Sequence, residues 1–288
     1  MDDRPIDRLR AALDESIQPE AAYRAHPALN WSLLKTIGKS PLHFRHRRDN
    51  PRPDSPTFRV GRAVHAAILE PERFAAEWVV YHGRRAGKAW TAFFEEHEGR
   101  EILNATEYDT VVAMASAVRS RPDLAAVLEN GVAEVSLLWH KRYRKHGFNL
   151  KARADWIYHD GESWVVLDLK TTRDVEARSF GRDAARLMYH GQLAHYAEGL
   201  STLLDTYYYP SKCPVRAELL VVETEAPHDC GLYRLDDVAL QCGRARREQL
   251  LSRYAACVQS GEWPGQLPEP GYLLLPTWEL DTLDELED

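Results

Sequence analysis

Asp155, Asp168 and Lys170 have the residue types and spacing of a metal-dependent hydrolytic site. Asp155 lies in a predicted strand over 149–158, and the other two lie in a predicted strand over 163–170. Alternate residues of a strand share a face. Two converging carboxylates suit a hard cation such as Mg²⁺ or Mn²⁺. Such a cation can polarise a phosphoryl oxygen and lower the pKa of its bound water. Lys170 would orient or activate that water, or stabilise the developing charge.

The segment between these strands predicts how the two carboxylates meet. Asp160-Gly161 is a strong signal for a two-residue hairpin turn. With that turn, Asp155 is predicted opposite Val166, and Asp168 opposite Arg153. The two aspartates are then diagonal neighbours, roughly 7–8 Å apart at Cα and closer between side chains. The alternative is an exposed strand face that carries mixed charges.

The elements around the hairpin predict a mixed fold. Ala154 and Trp156 are predicted on one face of their strand and Asp155 on the other. A loose helical arm is predicted over 1–25, helices over 30–37, 40–48, 58–70 and 107–129, and loops over 49–57 and 83–89. A strand is predicted over 133–140, and the hairpin is followed by a helix over 181–204, a strand over 216–225 and a helix over 236–260. This order predicts an α+β fold, with a mixed sheet flanked by helices in one domain.

Five short motifs stand in a fixed order along residues 61–196. They are Gly61-Arg62-Ala63-Val64-His65, Glu134, Asp155, Asp168-Leu169-Lys170, and the pair Gln192 and Tyr196. This order resembles the RecB/RecE-type branch of the PD-(D/E)XK nuclease superfamily, and residues 30–41 resemble phage exonuclease VIII (RecE-like) proteins. Ala154 stands where the superfamily name has proline.

The resemblance implies a restriction-endonuclease-like core over 131–260, with a central sheet built on an antiparallel hairpin. Residues 1–130 are expected to form an N-terminal helical region of the same domain, and residues 261–288 an acidic tail. It implies a metal-dependent exonuclease that digests linear double-stranded DNA from 5′ ends. The remaining 3′ single strand would serve recombination, and the protein would be phage or prophage derived.

The resemblance also implies roles for individual residues. The implied metal ligands are His65, Glu134, Asp155, Asp168 and the Leu169 carbonyl. Gln192 and Tyr196 would position DNA or a metal-bound water, and Lys170 completes the catalytic set. Alternatively, His65 is a hydrogen-bonded core histidine and Glu134 a surface charge. In that interpretation Tyr196 belongs to the core and Gln192 to a solvated helix face.

Two alternative functions stay open at this point. One is a catalytically inactive module that binds DNA ends, and the other is a structure-specific endonuclease of the same superfamily. Exonuclease VIII-like proteins assemble as rings and work with a single-strand annealing protein. The resemblance therefore implies a homo-oligomer with such a partner.

The charge distribution favours a DNA-binding body. The net charge is −7, and residues 251–288 account for all of it, so residues 1–250 are neutral overall. Basic residues nevertheless cluster over 35–62 and 140–153, and the second stretch contains no acidic residue. Phosphate contacts from such clusters give sequence-independent affinity. The predicted contacts are Arg62, Arg84, Arg85, Lys88, Lys151 and Arg153.

Composition excludes several other classes. Apolar residues make up 44% of the chain and charged residues 28%, which argues against a disordered or fibrous protein. No apolar run approaches the roughly 18 residues of a membrane span, and the charged N-terminus does not resemble a signal peptide. The four cysteines form no C-x-x-C motif, so we expect reduced thiols in a cytoplasmic protein.

Overall fold

The computed structural model describes residues 5–13, 17–51, 56–143, 145–207, 214–267 and 269–280. Helices dominate the part of the chain before the main sheet. They are α1 (Pro5–Ala12), α2 (Glu20–Ala25), α3 (Trp31–Leu34), a 3₁₀ turn (Lys35–Gly38), α4 (Pro41–Asp49), α5 (Pro56–Leu69), α6 (Pro71–Glu77), α7 (Lys88–Glu96), α8 (Ala105–Ser120) and α9 (Pro122–Glu129). Short strands β1 (Trp78–Tyr81) and β2 (Glu101–Asn104) pair in parallel among them. Parts of the predicted arm and of the loop at 49–57 lie outside the described residues.

A five-stranded sheet follows, in the order β3-β4-β5-β6-β7. Its strands are β3 (Gly131–Tyr143), β4 (His146–His159), β5 (Trp164–Thr172), β6 (Val215–Glu223) and β7 (Cys230–Arg234). Only β5 and β6 pair in parallel in this sheet, and helices α10 (Ala177–Leu187) and α11 (Tyr189–Tyr207) connect them. Helices α12 (Asp237–Ser260) and α13 (Thr277–Leu280) complete the described chain. The predicted α+β fold with a core antiparallel hairpin is confirmed.

Helices cover both faces of this sheet, so its central strand is apolar on both sides. Val165, Val166, Leu167 and Leu169 of β5 are all buried. The first face packs against α1, α3, α4, α11 and α12, and the second against α5, α6, α8 and α9. A strand buried on both faces reads as a continuous apolar run rather than a strict alternation. The charged residues that interrupt this strand, Asp168 and Lys170, are therefore exceptional.

Local signals at the helix ends match the observed boundaries. Asn104 and Glu107 form a reciprocal capping box at the start of α8. Ser40 caps α4, where Pro41 occupies the first turn. Asp236 caps α12, and Gly261 ends it in a left-handed conformation. No described helix is long and apolar enough to cross a membrane.

Two predicted helices are each interrupted. The segment 107–129 splits at Arg121, because Pro122 disfavours helical geometry in the residue before it. The segment 181–204 splits at Met188, which has a left-handed backbone with φ 60°. Strands β1, β2 and β7 and helices α6, α7 and α13 were not predicted. These elements are short, so their apolar periodicity is weak.

The predicted hairpin register is wrong by two residues. His159 pairs with Trp164, not with Glu162, so the connection is a four-residue loop over 160–163. The Asp160 carboxylate accepts hydrogen bonds from the amides of Glu162 and Ser163, which closes the longer loop. The last pair of the β4–β5 ladder is Trp156 with Leu167. Asp155 and Asp168 therefore occupy facing positions immediately beyond it, not diagonal ones.

Side-chain alternation breaks at this same point of β4. Ala154 packs on the first sheet face and Trp156 on the second, although strict alternation would place them together. In the neighbouring strand, Val135 packs on the first face and Ala133 on the second. The predicted grouping of Ala154 with Trp156 is thus wrong. The irregularity is centred on Asp155 in β4 and on Glu134 in β3.

Candidate metal centre

His65, Glu134 and Asp155 come together from three elements. One potential ligand atom from each lies within 4.8 Å of the other two. His65 is carried by α5 on the second sheet face, and its Nδ1 lies 3.5 Å from Oδ2 of Asp155. The two carboxylates come from the irregular positions of β3 and β4. The structure thus groups three of the residues that sequence comparison placed in separate motifs.

Asp155 is held by the neighbouring strand. The Leu169 amide donates a 2.8 Å hydrogen bond to Oδ2 of Asp155. This bond forms just beyond the last β4–β5 ladder pair, where a side-chain oxygen replaces the main-chain acceptor. The role predicted for Leu169 was its carbonyl as a metal ligand. The contact that the structure describes is made by its amide, so carbonyl ligation stays a prediction.

Glu134 has a strained backbone. Its φ is 52°, a left-handed conformation that non-glycine residues rarely adopt and that costs of order 1–3 kcal/mol. Nε of Arg153 donates to Oε2 of Glu134 at 2.8 Å. The Glu134 carboxylate thus lies beside Arg153 and also close to His65 and Asp155. Strain that the surroundings maintain is typical of functional sites.

Asp168 and Lys170 lie beside this group on β5. Asp168 is only 1% exposed and forms an ion pair with the Lys170 ammonium. Nε2 of Gln192 donates to Oδ1 of Asp168 at 2.8 Å and also lies 2.9 Å from the Tyr196 hydroxyl. Gln192 on α11 therefore contacts Asp168 directly, and Tyr196 is linked to Asp168 through Gln192. Simple alternation predicted one shared face for Asp155, Asp168 and Lys170. The facing positions of Asp155 and Asp168 and the Asp168–Lys170 ion pair agree with that shared face, although the register differs.

Tyr189 belongs to the same constellation, and sequence reasoning did not single it out. The Lys170 ammonium lies 4.8 Å from the centroid of the Tyr189 ring, a cation–π distance. Tyr189 precedes Gln192 by three residues and Tyr196 by seven, so all three share one face of α11. Helical spacing backwards from Gln192 would have identified it.

Burial and like charge control the protonation of the acidic residues. Burial raises the pKa of the Asp155 carboxyl, and the charge of Asp168 raises it further. Burial and the charge of Asp155 likewise raise the pKa of Glu134. Burial lowers the pKa of His65, which favours the neutral imidazole that can bind a metal. Burial also lowers the pKa of Lys170, but the charges of Asp168 and Asp155 outweigh it, so the net pKa is raised.

This donor set fits a divalent cation. Carboxylates crowded into a buried space repel one another, and a cation between them would relieve that repulsion. The candidate group has two carboxylates and one neutral imidazole, which suits Mn²⁺ as well as Mg²⁺. His65, Glu134 and Asp155 would hold the ion, with Asp168 adjacent. This arrangement can activate water and stabilise charge on a phosphate.

Two of the six predicted DNA contacts, Lys151 and Arg153, bond to groups within the fold. Lys151 is 5% exposed, and its ammonium donates to the carbonyl oxygens of Tyr23 and His26 at 2.6 Å each. Arg153 is committed to Glu134 and to neighbouring groups. The acid-free stretch over 140–153 suggested a phosphate-binding face for both. Both cations are instead engaged by partners within the fold, and a DNA contact by either residue stays a prediction.

The other four predicted contacts differ in their availability. Arg62 pairs with Glu101 at 2.6 Å, and Arg85 donates to the Ile102 carbonyl at 2.8 Å. Arg84 and Lys88 are exposed, and neither forms an ion pair with any residue that the structure describes. These two thus have charges free for phosphate.

A basic cleft adjoins the candidate metal centre. Its volume is about 820 Å³ and it lies between α2, α4 and β4. Arg153 lines it and also binds Glu134, so the cleft and the centre share a residue. Its other charged and imidazole side chains are Glu20, Arg24, His26, Arg47, Arg48 and Lys151. Five basic side chains face one acidic side chain there, so the cleft is positive overall, although Lys151 and Arg153 also bond within the fold and Arg24 pairs with Glu20.

The chain matches a known protein family in sequence and a solved structure in fold. Residues 30–271 match the family described as a PDDEXK-like domain of unknown function (DUF3799). The structure is similar to the crystal structure of a "Putative exonuclease" from Eubacterium rectale, with a TM-score of 0.58 and 12% identity. That similarity covers 93% of this chain and 97% of the other, and at this identity it shows a shared fold alone.

Two further comparisons add nothing to the fold assignment. The crystal structure of SSO0001 matches with a TM-score of 0.32 and 15% identity, over 69% of this chain and 84% of the other. That score is too low to support an argument. No curated protein matches the chain significantly in sequence.

Proposed function

The chain belongs to the family of PDDEXK-like domains of unknown function (DUF3799), and we propose that it is a divalent-metal-dependent DNA nuclease. One observation carries the proposal. His65, Glu134 and Asp155 form a compact ligand group directly beside the Asp168–Lys170 pair. A structural ion pair would not need an imidazole and two further carboxylates beside it. Together they form a donor set that can bind the metal ion of a hydrolytic site.

We further propose that the substrate is linear double-stranded DNA. The motif order over 61–196 supports an exonuclease that acts 5′→3′ and leaves a 3′ single strand for recombination. The fold shared with the Eubacterium rectale protein is compatible with this assignment. The basic cleft and the exposed Arg84 and Lys88 would contact phosphates without reading sequence. Both Mg²⁺ and Mn²⁺ are expected to support activity.

Different residues of the site would have different roles in hydrolysis. A divalent cation supplies Lewis-acid activation of the scissile phosphate and of the attacking water when it is bound. His65, Glu134 and Asp155 would hold it. Lys170, kept charged by its pairing with Asp168, would stabilise negative charge that develops on the phosphate. Gln192 keeps Asp168 in place through a direct hydrogen bond.

Digestion of end-labelled DNA tests the proposal. Linear duplex labelled at the 5′ or 3′ end is incubated with Mg²⁺, Mn²⁺ or EDTA, beside a covalently closed circle. Asp168→Asn removes a negative charge from the site, and Asp205→Asn on the exposed end of α11 is the matched control. We expect metal-dependent release of nucleotides from 5′ ends, an intact circle, and loss of about 100-fold or more in rate for Asp168→Asn alone.

The other outcomes separate the remaining functions. Cleavage of the closed circle would replace the exonuclease with an endonuclease of the same chemistry. Retained end binding without degradation under any metal would overturn the nuclease and leave a DNA-end-binding module. The motif resemblance also supports a ring-like homo-oligomer and a single-strand annealing protein as partner. Light scattering at several protein concentrations tests the assembly, and a monomer throughout would contradict it.

A further inference from the structure

Arg153 makes three hydrogen bonds within the fold. Its Nε donates to Oε2 of Glu134 at 2.8 Å. Its NH1 group donates to the Gln18 carbonyl and to Oγ of Ser136, both at 2.6 Å. The side chain is 16% exposed and its partner Glu134 23% exposed. The guanidinium is therefore directed at Glu134 by two further acceptors that fix its orientation.

Gln18 ties this arrangement to the N-terminal part of the chain. Its side-chain carbonyl accepts from the Ser136 amide at 3.0 Å, and its side-chain amide donates to the Ser136 carbonyl at 3.1 Å. Gln18 thus pairs with β3 two residues beyond Glu134. Its own main-chain carbonyl binds Arg153. The Arg153 guanidinium consequently links Gln18, which precedes α2, to Glu134 in β3.

We propose that Arg153 is a positioning residue for the metal centre. It holds the Glu134 carboxylate in the direction of His65 and Asp155, so that the ligand group is assembled before the cation arrives. The inference rests on the proposed function, because it requires that this group binds a divalent cation. An arginine suits the task, since its planar group offers several donors in a fixed geometry, whereas lysine offers one ammonium.

A purely electrostatic role and a positioning role of Arg153 predict opposite changes in metal affinity when the residue is replaced. Arg153 is a cation close to a cation-binding group, so by charge alone its removal would tighten metal binding. As a positioning residue, its removal would free Glu134 from its required direction and weaken metal binding. Loss of a group that orients a metal ligand typically costs 10–100-fold in metal affinity. The sign of the change therefore distinguishes the two roles.

The test measures Mn²⁺ binding to the full, metal-free chain without DNA, by titration calorimetry and by electron paramagnetic resonance of free Mn²⁺. We expect Arg153→Gln to weaken binding by about 10–100-fold and Arg153→Lys by less. Ser136→Ala removes one acceptor of the guanidinium and is a milder variant, should Arg153→Gln fail to fold. Arg121→Gln is the control, because Arg121 bonds to Asp123 and the Cys230 carbonyl on the second face of the sheet.

A second arm asks whether Arg153 acts through Glu134. In a Glu134→Gln background, Arg153→Gln should cause no further change in Mn²⁺ affinity. Unchanged or tighter binding by Arg153→Gln in the native background would overturn the inference, as would an equal loss in both backgrounds. If the unsubstituted protein binds no Mn²⁺, the metal site of the proposed function fails. Cation binding by the unsubstituted protein that is insensitive to Arg153 removes only the positioning role.

Discussion

The Leu169 amide donates a 2.8 Å hydrogen bond to the carboxylate of Asp155 just beyond the point where the β4–β5 ladder ends. The two residues that flank Leu169 in the chain, Asp168 and Lys170, form an ion pair in the candidate site. A short stretch of β5 thus binds the Asp155 carboxylate through a main-chain amide and places Asp168 beside it. Asp168 is held by different partners, Gln192 and Lys170, while its charge also acts on Asp155.

Replacement of Lys170 separates catalysis from DNA binding. Lys170→Ala should lower the rate of cleavage by about 100–1000-fold, because it removes the charge that stabilises the reacting phosphate. Its position inside the site, against Asp168 and the Tyr189 ring, gives it little part in general phosphate affinity. Cleavage rate and equilibrium DNA affinity in EDTA are measured for Lys170→Ala and for the control Arg244→Ala, an exposed position of α12 outside the basic stretches. A parallel loss of affinity in Lys170→Ala would assign the residue to binding instead.

Tyr189 should matter through its ring rather than through its hydroxyl. Tyr189→Phe keeps the face on which the Lys170 ammonium lies, so its cleavage rate should stay within about twofold. Tyr189→Ala removes that face and should lower the rate by about tenfold, since a contact worth about 1–2 kcal/mol is lost. Steady-state kinetics of both variants check this. Equal losses in both would show that the hydroxyl is the important group.

The basic residues of β4 and of the loop before α7 should behave differently. Lys151→Met leaves the carbonyls of Tyr23 and His26 without their donor, and should reduce the free energy of unfolding by about 1–3 kcal/mol. The salt dependence of DNA affinity should not change in this variant. Urea unfolding and DNA binding at several salt concentrations measure both quantities.

Arg84 and Lys88 are exposed, so we expect them to affect DNA affinity and not stability. Replacing both with alanine should reduce the slope of log affinity against log salt by about 2, since each phosphate contact contributes about 1. Stability should change by less than about 0.5 kcal/mol, because neither side chain is buried. A change in unfolding free energy without a change in slope would exclude them as phosphate contacts.

His195 should make the fold sensitive to mild acid. It is fully buried, its Nε2 lies 3.0 Å from the Lys151 carbonyl, and burial lowers its pKa to about 3. The unfolded chain takes up a proton at this residue near pH 6.5, whereas the folded chain does not until about pH 3. The unfolded state therefore binds more protons in this window. Stability contributed by the neutral His195 is full above about pH 6.5 and falls as the pH decreases, by up to about 1.4 kcal/mol per pH unit.

A non-titrating variant isolates this contribution. His195→Gln keeps an N–H donor and should be less stable than the native protein near neutral pH. Its unfolding free energy should fall less steeply between about pH 6.5 and pH 4, by one proton's worth of slope. Urea titrations across this range check the expectation. Parallel curves for the two proteins would show that His195 is not the group responsible.

The predictions from sequence were most accurate where local chemistry decides structure. The strand over 163–170 and the helix over 236–260 are observed within two residues, because an apolar run and a capped, glycine-ended helix are signals contained in neighbouring residues. The shortest elements, such as β1 and β2, had no comparable signal. Their pairing depends on contacts that only the folded chain provides.

For the candidate site, too, some features could be predicted from sequence and others could not. The identities of His65, Glu134, Asp155, Asp168, Lys170, Gln192 and Tyr196 were available from motif order alone. The register of Asp155 was not, because a four-residue loop and a two-residue turn are both compatible with Asp160-Gly161. Only the Asp160 side chain's bonds to the following amides select the longer loop.

The sequence by itself determined the fold class, the central hairpin and the candidate carboxylates Asp155 and Asp168, since these follow from apolar patterning and side-chain chemistry. His65 and Glu134 came from the resemblance of the motif order to a known family. Only the tertiary structure decided which charges remain free. Lys151 and Arg153 alternate like an exposed basic face, yet carbonyls and a carboxylate from residues more than fifteen positions away accept their hydrogen bonds. The left-handed turn at Glu134 is likewise set by its surroundings. Burial and long-range partners, which no local pattern encodes, therefore determined which charges are engaged within the fold.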